Sequence, residues 1–106
     1  MTNKPTRSKT AARLAEEEAR DAEVAAELAR TAVANRLAIL VIKYRADHEL
    51  TQTALARRLG MSQPAVARLE AADHEPSLTT LMRLARHLGI TLRLELSGDS
   101  VELVSA

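Results

Sequence analysis

The most specific chemistry that the sequence offers is an amide at Gln63 followed by a guanidinium at Arg68. A glutamine amide donates and accepts hydrogen bonds at the same time, which matches the N6 and N7 atoms of adenine. Arginine can bind guanine or a phosphate. Arg68 lies about one helical turn further on, so the two side chains would act together on a helix. The alternative for Arg68 is an ordinary solvated charge.

The sequence offers no comparable arrangement for catalysis. The three histidines lack the spacing of metal ligands, and the three glycines do not form a phosphate-binding loop. Serine, histidine and aspartate are present, but nothing arranges them for nucleophilic catalysis. Without cysteine, neither a disulfide framework nor a thiolate zinc site can form. We therefore expect no enzymatic activity, no cofactor and no metal ion.

The amide and the guanidinium belong to a segment, residues 50–70, that predicts two short helices joined by a tight turn. The first helix should span Gln52–Leu59, with Thr51 as its N-cap. Gly60 stands where a chain commonly leaves a helix through a left-handed residue. Met61 fills the turn between the helices.

The second helix should begin after Ser62, a good N-cap, with Pro64 in its first turn, where no backbone N–H is needed. The residues of the two helices that face inward begin with a small one, Ala56, because helices that cross closely leave little room for a side chain. Glycine follows four residues later, Val66 ten residues later and Leu69 thirteen residues later. This pattern is typical of the helix-turn-helix framework.

The stretch LTQTALARRLGMSQPAVARLE, followed by PSLTTLMRLARHLG, resembles the Xre/Cro class of DNA-binding domains, the relatives of lambda repressor and Cro. The resemblance covers residues 35–89 and implies a mainly α, lambda-repressor-like bundle. The chain departs from the class at two places where relatives often carry glycine. Glu49 and Leu50 precede the LTQ, and residues 71–73 (Ala-Ala-Asp) follow the second helix.

By this resemblance, the second helix is the recognition helix, and side chains in its first turn reach base edges in the major groove. The implied positions are Ser62, Gln63, Pro64, Ala65 and Arg68. Ala65, or the ring of Pro64, would contact a thymine methyl group. Gln52 opens the preceding helix, where family members often touch phosphate or brace the first base-reading glutamine. Thr51 is a further phosphate donor.

The rest of the chain divides into flanking segments. Residues 1–9 are polar and basic and are predicted to be disordered. Residues 10–34 are rich in Ala, Glu and Arg, which favours a helical extension, and carry six acidic against three basic side chains. The DNA-binding domain occupies residues 35–89, and residues 90–106 form a tail. The extension and the first helix of the domain are either nearly continuous or broken near residues 31–35.

The helical extension has only a thin apolar stripe with which to pack on its own domain, and acidic residues interrupt that stripe. In the first helix of the domain, Leu37 and Val41 share one face, whereas Ile39 and Ile42 point to the other side. This second apolar face would have to be covered by the N-terminal arm, the C-terminal tail or a partner. An arm that docks on a partner protein or on the other subunit is therefore expected, the alternative being a solvated, fraying helix. The predicted partner-binding residues are Leu14, Glu17, Glu18, Asp21, Val24, Leu28, Ile39 and Ile42.

After the recognition helix, Ser77 caps a further predicted helix, Leu78–Leu88. Its predicted apolar face consists of Leu78, Leu81, Met82, Leu84, Ala85 and Leu88. Beyond Gly89, apolar and polar residues alternate up to Leu96, residues 97–100 predict a turn, and residues 101–104 can form a second strand. A lone hairpin is marginal in water, so these strands must pack on the helices or pair across a dimer.

An acidic helical extension, an Xre/Cro domain and a short strand-forming tail together resemble the HigA-type antitoxins of type II toxin–antitoxin modules. This subgroup resemblance rests on size, layout and the surplus apolar positions. It implies a repressor that neutralises a RelE/HigB-like ribonuclease toxin and represses its own operon. The implied partners are that toxin, double-stranded DNA with a palindromic operator, and a second copy of the chain, because two recognition helices one DNA turn apart bind a palindrome.

The sequence leaves two alternatives: a stand-alone Xre-type transcriptional regulator without a toxin, and a protein-interaction module that has lost DNA binding. Retention of Gln63 and Arg68 argues against the second. No apolar run approaches the roughly 18 residues of a membrane span, and the basic start is not followed by the apolar core of a signal peptide. A cytoplasmic location and no membrane contact are expected.

Overall fold

The computed structural model describes residues 10–98 and 100–105. The predicted disordered segment, residues 1–9, lies outside them. Over the described residues the chain forms four helices followed by a two-stranded antiparallel hairpin, which confirms the predicted mainly α class. The elements are α1 (Ala11–Asp47), α2 (Gln52–Leu59), α3 (Gln63–Ala71), α4 (Leu78–Leu88), β1 (Leu92–Leu96) and β2 (Val101–Ser105).

α1 is a single helix of 37 residues that joins the extension to the first helix of the domain. The Thr10 side chain caps it by accepting a hydrogen bond from the Arg13 backbone N–H at 3.1 Å. No glycine or proline interrupts α1, so nothing in its backbone forces a break near residues 31–35. At 1.5 Å per residue the helix is roughly 55 Å long, and the molecule's longest dimension is 70 Å. None of the described helices is long and apolar enough to cross a membrane.

The core forms where the C-terminal half of α1 packs on α3 and β2, and where α2 packs on α3 and α4. Removing a large aliphatic side chain from water stabilises the fold by about 1.5–3 kcal/mol. The buried face of α1 begins at Val33, so the extension continues directly from a packed segment. The largest fully buried side chains are Leu55, Leu59, Leu84, Val41 and Val66.

The segment from α2 through the turn to α3 has the predicted boundaries and caps. Thr51 and Ser62 each accept a hydrogen bond from a backbone N–H three residues ahead, at 3.0 and 3.2 Å. Gly60 leaves α2 with a φ of +65°, and its carbonyl accepts a hydrogen bond from Arg83 of α4 at 2.8 Å. Ala56 is buried. The orientation of α3 is therefore fixed from both α2 and α4.

Two non-glycine residues of the described chain have a left-handed backbone. Glu49 has a φ of +52° and Ala72 a φ of +55°. They lie at the two places where the sequence departs from the glycines of the Xre/Cro class that it resembles. The backbone keeps this conformation at both places, although a Cβ atom there costs about 1–2 kcal/mol.

The predicted apolar face of α4 is only partly buried, which corrects the expectation from its periodicity. Ser77 and Gly89 bound the helix as predicted. Leu81 and Leu84 enter the core, but Leu78 and Met82 are 67% and 56% exposed. The apolar stripe is wider than the surface that α2 covers, so Leu78 and Met82 remain in solvent.

β1 and β2 form an antiparallel hairpin within one chain, which is one of the two arrangements that the sequence allows. β2 packs on α1 and buries Leu103. Leu94 lies opposite Leu103 and Leu96 opposite Val101, so all four side chains point to one face. On the outer strand, Leu94 and Leu96 are 44% and 74% exposed. The hairpin therefore leaves an apolar strip, Leu94 and Leu96, uncovered.

Candidate nucleic-acid interface

The side chains predicted to contact bases lie at the N-terminal turn of α3, except Arg68, which lies in its last turn. Ser62, Gln63, Pro64 and Arg68 are exposed, and Ala65 is half-buried. Ser62 caps the helix and Pro64 occupies its first turn. A projecting helix of this kind fits the major groove of B-DNA, which is about 12 Å wide.

Gln63 is held by a series of hydrogen-bonded side chains. Its amide nitrogen donates to Oε1 of Gln52 at 2.8 Å, and the amide nitrogen of Gln52 donates to Oε1 of Glu70 at 3.0 Å. The Arg45 guanidinium donates to both oxygens of Glu70, from Nε at 2.6 Å and from Nη2 at 2.8 Å. Gln52 therefore braces Gln63 as the resemblance implies, and the brace continues through α3 to α1.

The Arg45–Glu70 ion pair is largely hidden from solvent, with the Glu70 side chain only 8% exposed. Hydrogen bonds from Arg45 hold the pKa of the Glu70 carboxyl below its ordinary value of 4.5, against burial, which alone would raise it. The hydrogen bond from Gln52 lowers this pKa further. The same pairing raises the pKa of Arg45. Glu70 is therefore ionised at neutral pH and acts only as an acceptor.

Residue types and spacing in the sequence did not identify Arg45 and Glu70 as parts of this arrangement. For Glu70 a signal exists, because seven residues after Gln63 is two helical turns and returns the side chain to the same face. For Arg45 no local signal exists, since its partner is 25 residues away in sequence. Arg45 also donates to the Leu50 carbonyl at 3.1 Å and so helps to hold the chain that enters α2.

The remaining predicted contacts, Thr51 and Gln52, lie at the start of α2. Gln52 is half-buried, as its hydrogen bonds require, and Thr51 is exposed beside it. The Thr51 oxygen caps α2, which leaves the hydroxyl hydrogen as a donor. Arg57 and Arg58 are both exposed, and Arg58 contacts the Tyr44 hydroxyl at 3.5 Å.

The eight residues predicted to bind a partner protein all lie on α1, and their apolar members are exposed. With successive residues about 100° apart, the eight side chains fall within an arc of about 120°. That arc is opposite the face on which Leu37 and Val41 enter the core. Glu17 forms an ion pair with Arg13 at 3.9 Å, whereas Glu18 and Asp21 are exposed. We call this set of eight residues the outer stripe of α1.

Comparison with known proteins places α2 and α3 in a characterised family. A family model described as helix-turn-helix, HTH_3, matches residues 41–94, about half of the chain. The antitoxin HigA1 of two strains of Mycobacterium tuberculosis is 38% identical over 71 residues, covering 67% of this chain and 48% of the relative. The chain thus spans about half the length of these relatives.

Two further relatives are uncharacterized HTH-type transcriptional regulators. The one from Methanocaldococcus jannaschii is 37% identical over 49 residues, which is 46% of this chain and 74% of the relative. The one from Bacillus subtilis is 36% identical over 62 residues, 58% of this chain and 53% of the relative. No solved structure gives a significant match. The matched family segment contains the capped turn and the whole Arg45–Glu70–Gln52–Gln63 arrangement, and the chain therefore belongs to the Xre-type helix-turn-helix family of DNA-binding transcriptional regulators.

Proposed function

We propose that the protein is a sequence-specific transcriptional repressor that also acts as the antitoxin of a type II toxin–antitoxin module. The observation that carries the DNA-binding part is the exposed Gln63 amide, held by Gln52 at 2.8 Å at the start of α3. A braced side chain loses little rotamer freedom on binding, so a base contact is made at lower entropic cost. The antitoxin part is supported by the outer stripe of α1 and by the similarity to HigA1 antitoxins.

In this proposal, the first turn of α3 lies in the major groove of an operator. Gln63 binds adenine through its amide, and Arg68 binds guanine or a phosphate. Ala65, or the ring of Pro64, contacts a thymine methyl group. The hydroxyl of Thr51 donates to a phosphate, which fixes the position of the helix rather than the sequence that it binds.

The proposed repressor is a homodimer, since two copies of α3 about one DNA turn apart would bind a palindromic operator. The apolar strip of Leu94 and Leu96 supports self-association, because it lies on the hairpin face whose other half is already buried on α1. A second copy could cover this strip without disturbing the fold of either chain. Autoregulation follows if the operator lies upstream of the protein's own gene.

The proposed protein partner is a RelE/HigB-like ribonuclease toxin. An enzyme that cleaves RNA needs a basic surface for its polyanionic substrate, and an acidic helix can cover such a surface. Leu14, Val24 and Leu28 would be the apolar anchors of the contact, and Ile39 and Ile42 would extend it towards the domain. The continuous helix from residue 11 to residue 47 holds all of these side chains on one face.

The test of the antitoxin function reverses charges on the outer stripe in the full-length chain. The variant carries Glu18→Lys and Asp21→Lys and is co-expressed with the protein encoded by the neighbouring gene. We expect growth rescue by the wild type and loss of rescue by the variant, because charge complementarity governs association. Glu16→Lys with Glu23→Lys is the matched control: the charge change is the same, but both residues lie on the opposite side of α1.

Binding to the region upstream of the protein's own gene is measured in parallel for all three proteins. We expect unchanged operator affinity, since α3 packs on the C-terminal half of α1, whereas residues 16–23 lie in its N-terminal half. Rescue by the outer-stripe variant equal to that of the control would contradict toxin binding by α1. A neighbouring gene product that is not toxic would favour the second candidate, a stand-alone Xre-family regulator without a toxin partner, which the two similar HTH-type regulators support.

A further inference from the structure

The series of hydrogen bonds that ends at Gln63 has a direction. Arg45 can only donate, and the ionised carboxylate of Glu70 can only accept. The atom of Gln52 that lies 3.0 Å from a Glu70 oxygen must therefore be its amide nitrogen. The positions of the oxygen and the nitrogen in the Gln52 amide are therefore fixed by the carboxylate of Glu70, which can only accept.

The same constraint passes on to Gln63. With its NH₂ group turned towards Glu70, Gln52 presents its carbonyl oxygen to Gln63. The atom of Gln63 at 2.8 Å from that oxygen must then be the amide nitrogen. One of the two N–H groups of Gln63 is used in this contact, so the edge left for DNA consists of one N–H and one carbonyl oxygen.

The two purines differ in what they require from such an edge. In the major groove adenine offers a donor at N6 and an acceptor at N7, whereas guanine offers acceptors at both O6 and N7. One donor beside one acceptor matches adenine. If the Gln63 amide were reversed, with both N–H groups facing outward, its edge would instead match guanine.

We propose that Glu70 is a positioning residue that sets the base preference of Gln63 to adenine over guanine, with Arg45 holding the carboxylate in place. This inference rests on the proposed DNA-binding function. It concerns the choice of base, not the overall affinity. The Glu70 side chain is only 8% exposed, so it would act through Gln52 without touching the DNA.

The experiment selects sequences from a library of DNA duplexes with a randomised centre, using full-length proteins. The base contacted by Gln63 is identified as the position whose preference disappears in Gln63→Ala. At that position we expect the wild type to enrich adenine over guanine by about tenfold or more. Glu70→Gln should lose most of this ratio, because a neutral amide at position 70 can donate as well as accept and no longer dictates the direction.

A double variant, Gln52→Glu with Glu70→Gln, tests the direction itself. The introduced carboxylate at position 52 again accepts from Gln63, and the introduced amide at position 70 can donate to it. The adenine preference should therefore return, although the carboxylate, moved from position 70 to position 52 beside the proposed phosphate donor Thr51, lowers affinity for every sequence. For the single variant Glu70→Gln, the matched control is Glu95→Gln, an exposed residue of β1, which makes the same charge change and should behave as the wild type.

Arg45→Lys distinguishes an effect on the direction of the hydrogen bonds from an effect on the stability of the fold. A lysine still donates to Glu70 and keeps it ionised, so the fold loses a bidentate pair but the adenine preference should remain. If Glu70→Gln does not fold, as thermal unfolding would show, loss of the preference in Arg45→Lys overturns the inference. Retention of the wild-type preference by a folded Glu70→Gln also overturns it while leaving DNA binding intact. A wild type that enriches no sequence overturns the DNA-binding function itself.

Discussion

Replacing Ala72 by glycine should stabilise the protein. Ala72 ends α3 with φ +55° and ψ +36°, and its N–H donates to the Leu69 carbonyl at 3.2 Å. A left-handed conformation costs an L-residue about 1–2 kcal/mol, which glycine avoids. Glycine also gives the unfolded chain more freedom, which offsets about 0.4–1 kcal/mol. We expect a net gain of about 0.5–1 kcal/mol in the free energy of unfolding, or roughly 2–8 °C in Tm.

The assay is urea-induced unfolding followed by far-ultraviolet circular dichroism, with thermal melts of the same samples. Ala71→Gly is the matched control, because it makes the same chemical change one residue earlier, within α3. There glycine should destabilise by about 0.5–1 kcal/mol, since the conformation is helical and alanine is the better helix former. Operator affinity of Ala72→Gly should remain that of the wild type. If both variants lose stability to the same extent, the left-handed backbone at Ala72 is not a source of strain.

Three further predictions concern other parts of the molecule. Glu49→Gly should raise the free energy of unfolding by an amount similar to Ala72→Gly, because Glu49 is exposed and has a φ of +52°. Chemical denaturation measures this free energy, and a lower value for the variant than for the wild type would contradict the prediction. Since the pKa of Glu70 is lowered in the folded protein, its ion pair stabilises the fold above pH 4.5 and loses this contribution as the pH falls below that value; the difference in unfolding free energy between the wild type and Glu70→Gln should therefore shrink on acidification. Leu96→Ser should weaken self-association in sedimentation experiments without lowering Tm at low protein concentration, and an unchanged dimer would exclude the hairpin strip as the interface.

The elements that could be predicted from the sequence are those fixed by local chemistry. Thr51, Ser62 and Ser77 cap their helices through backbone N–H groups three residues ahead, so the starts of α2, α3 and α4 are determined within a few residues. Gly60 and Gly89 end helices in the left-handed conformation that glycine favours. The exposed first turn of α3 follows directly from these boundaries.

The features that could not be predicted depend on residues far apart in sequence. The exposure of Leu78 and Met82 depends on how much of α4 is covered by its neighbours. The periodicity of the sequence does not show this coverage. The Arg45–Glu70 pair joins α1 to α3 across 25 residues. Its contribution to the site therefore appears only once the helices are packed. The pairing of the hairpin within one chain could not be predicted either, because alternation of apolar and polar residues predicts strands but not their partners.

The measurement that tests the central claim most directly compares two proteins on two DNAs. Wild type and Gln63→Ala are titrated against the operator selected by the wild type and against random duplex at the same salt concentration. We predict that Gln63→Ala loses about 1–3 kcal/mol of binding free energy on the operator and far less on random DNA. Equal losses on both DNAs, or a wild type with equal affinity for both, would contradict sequence recognition through the start of α3.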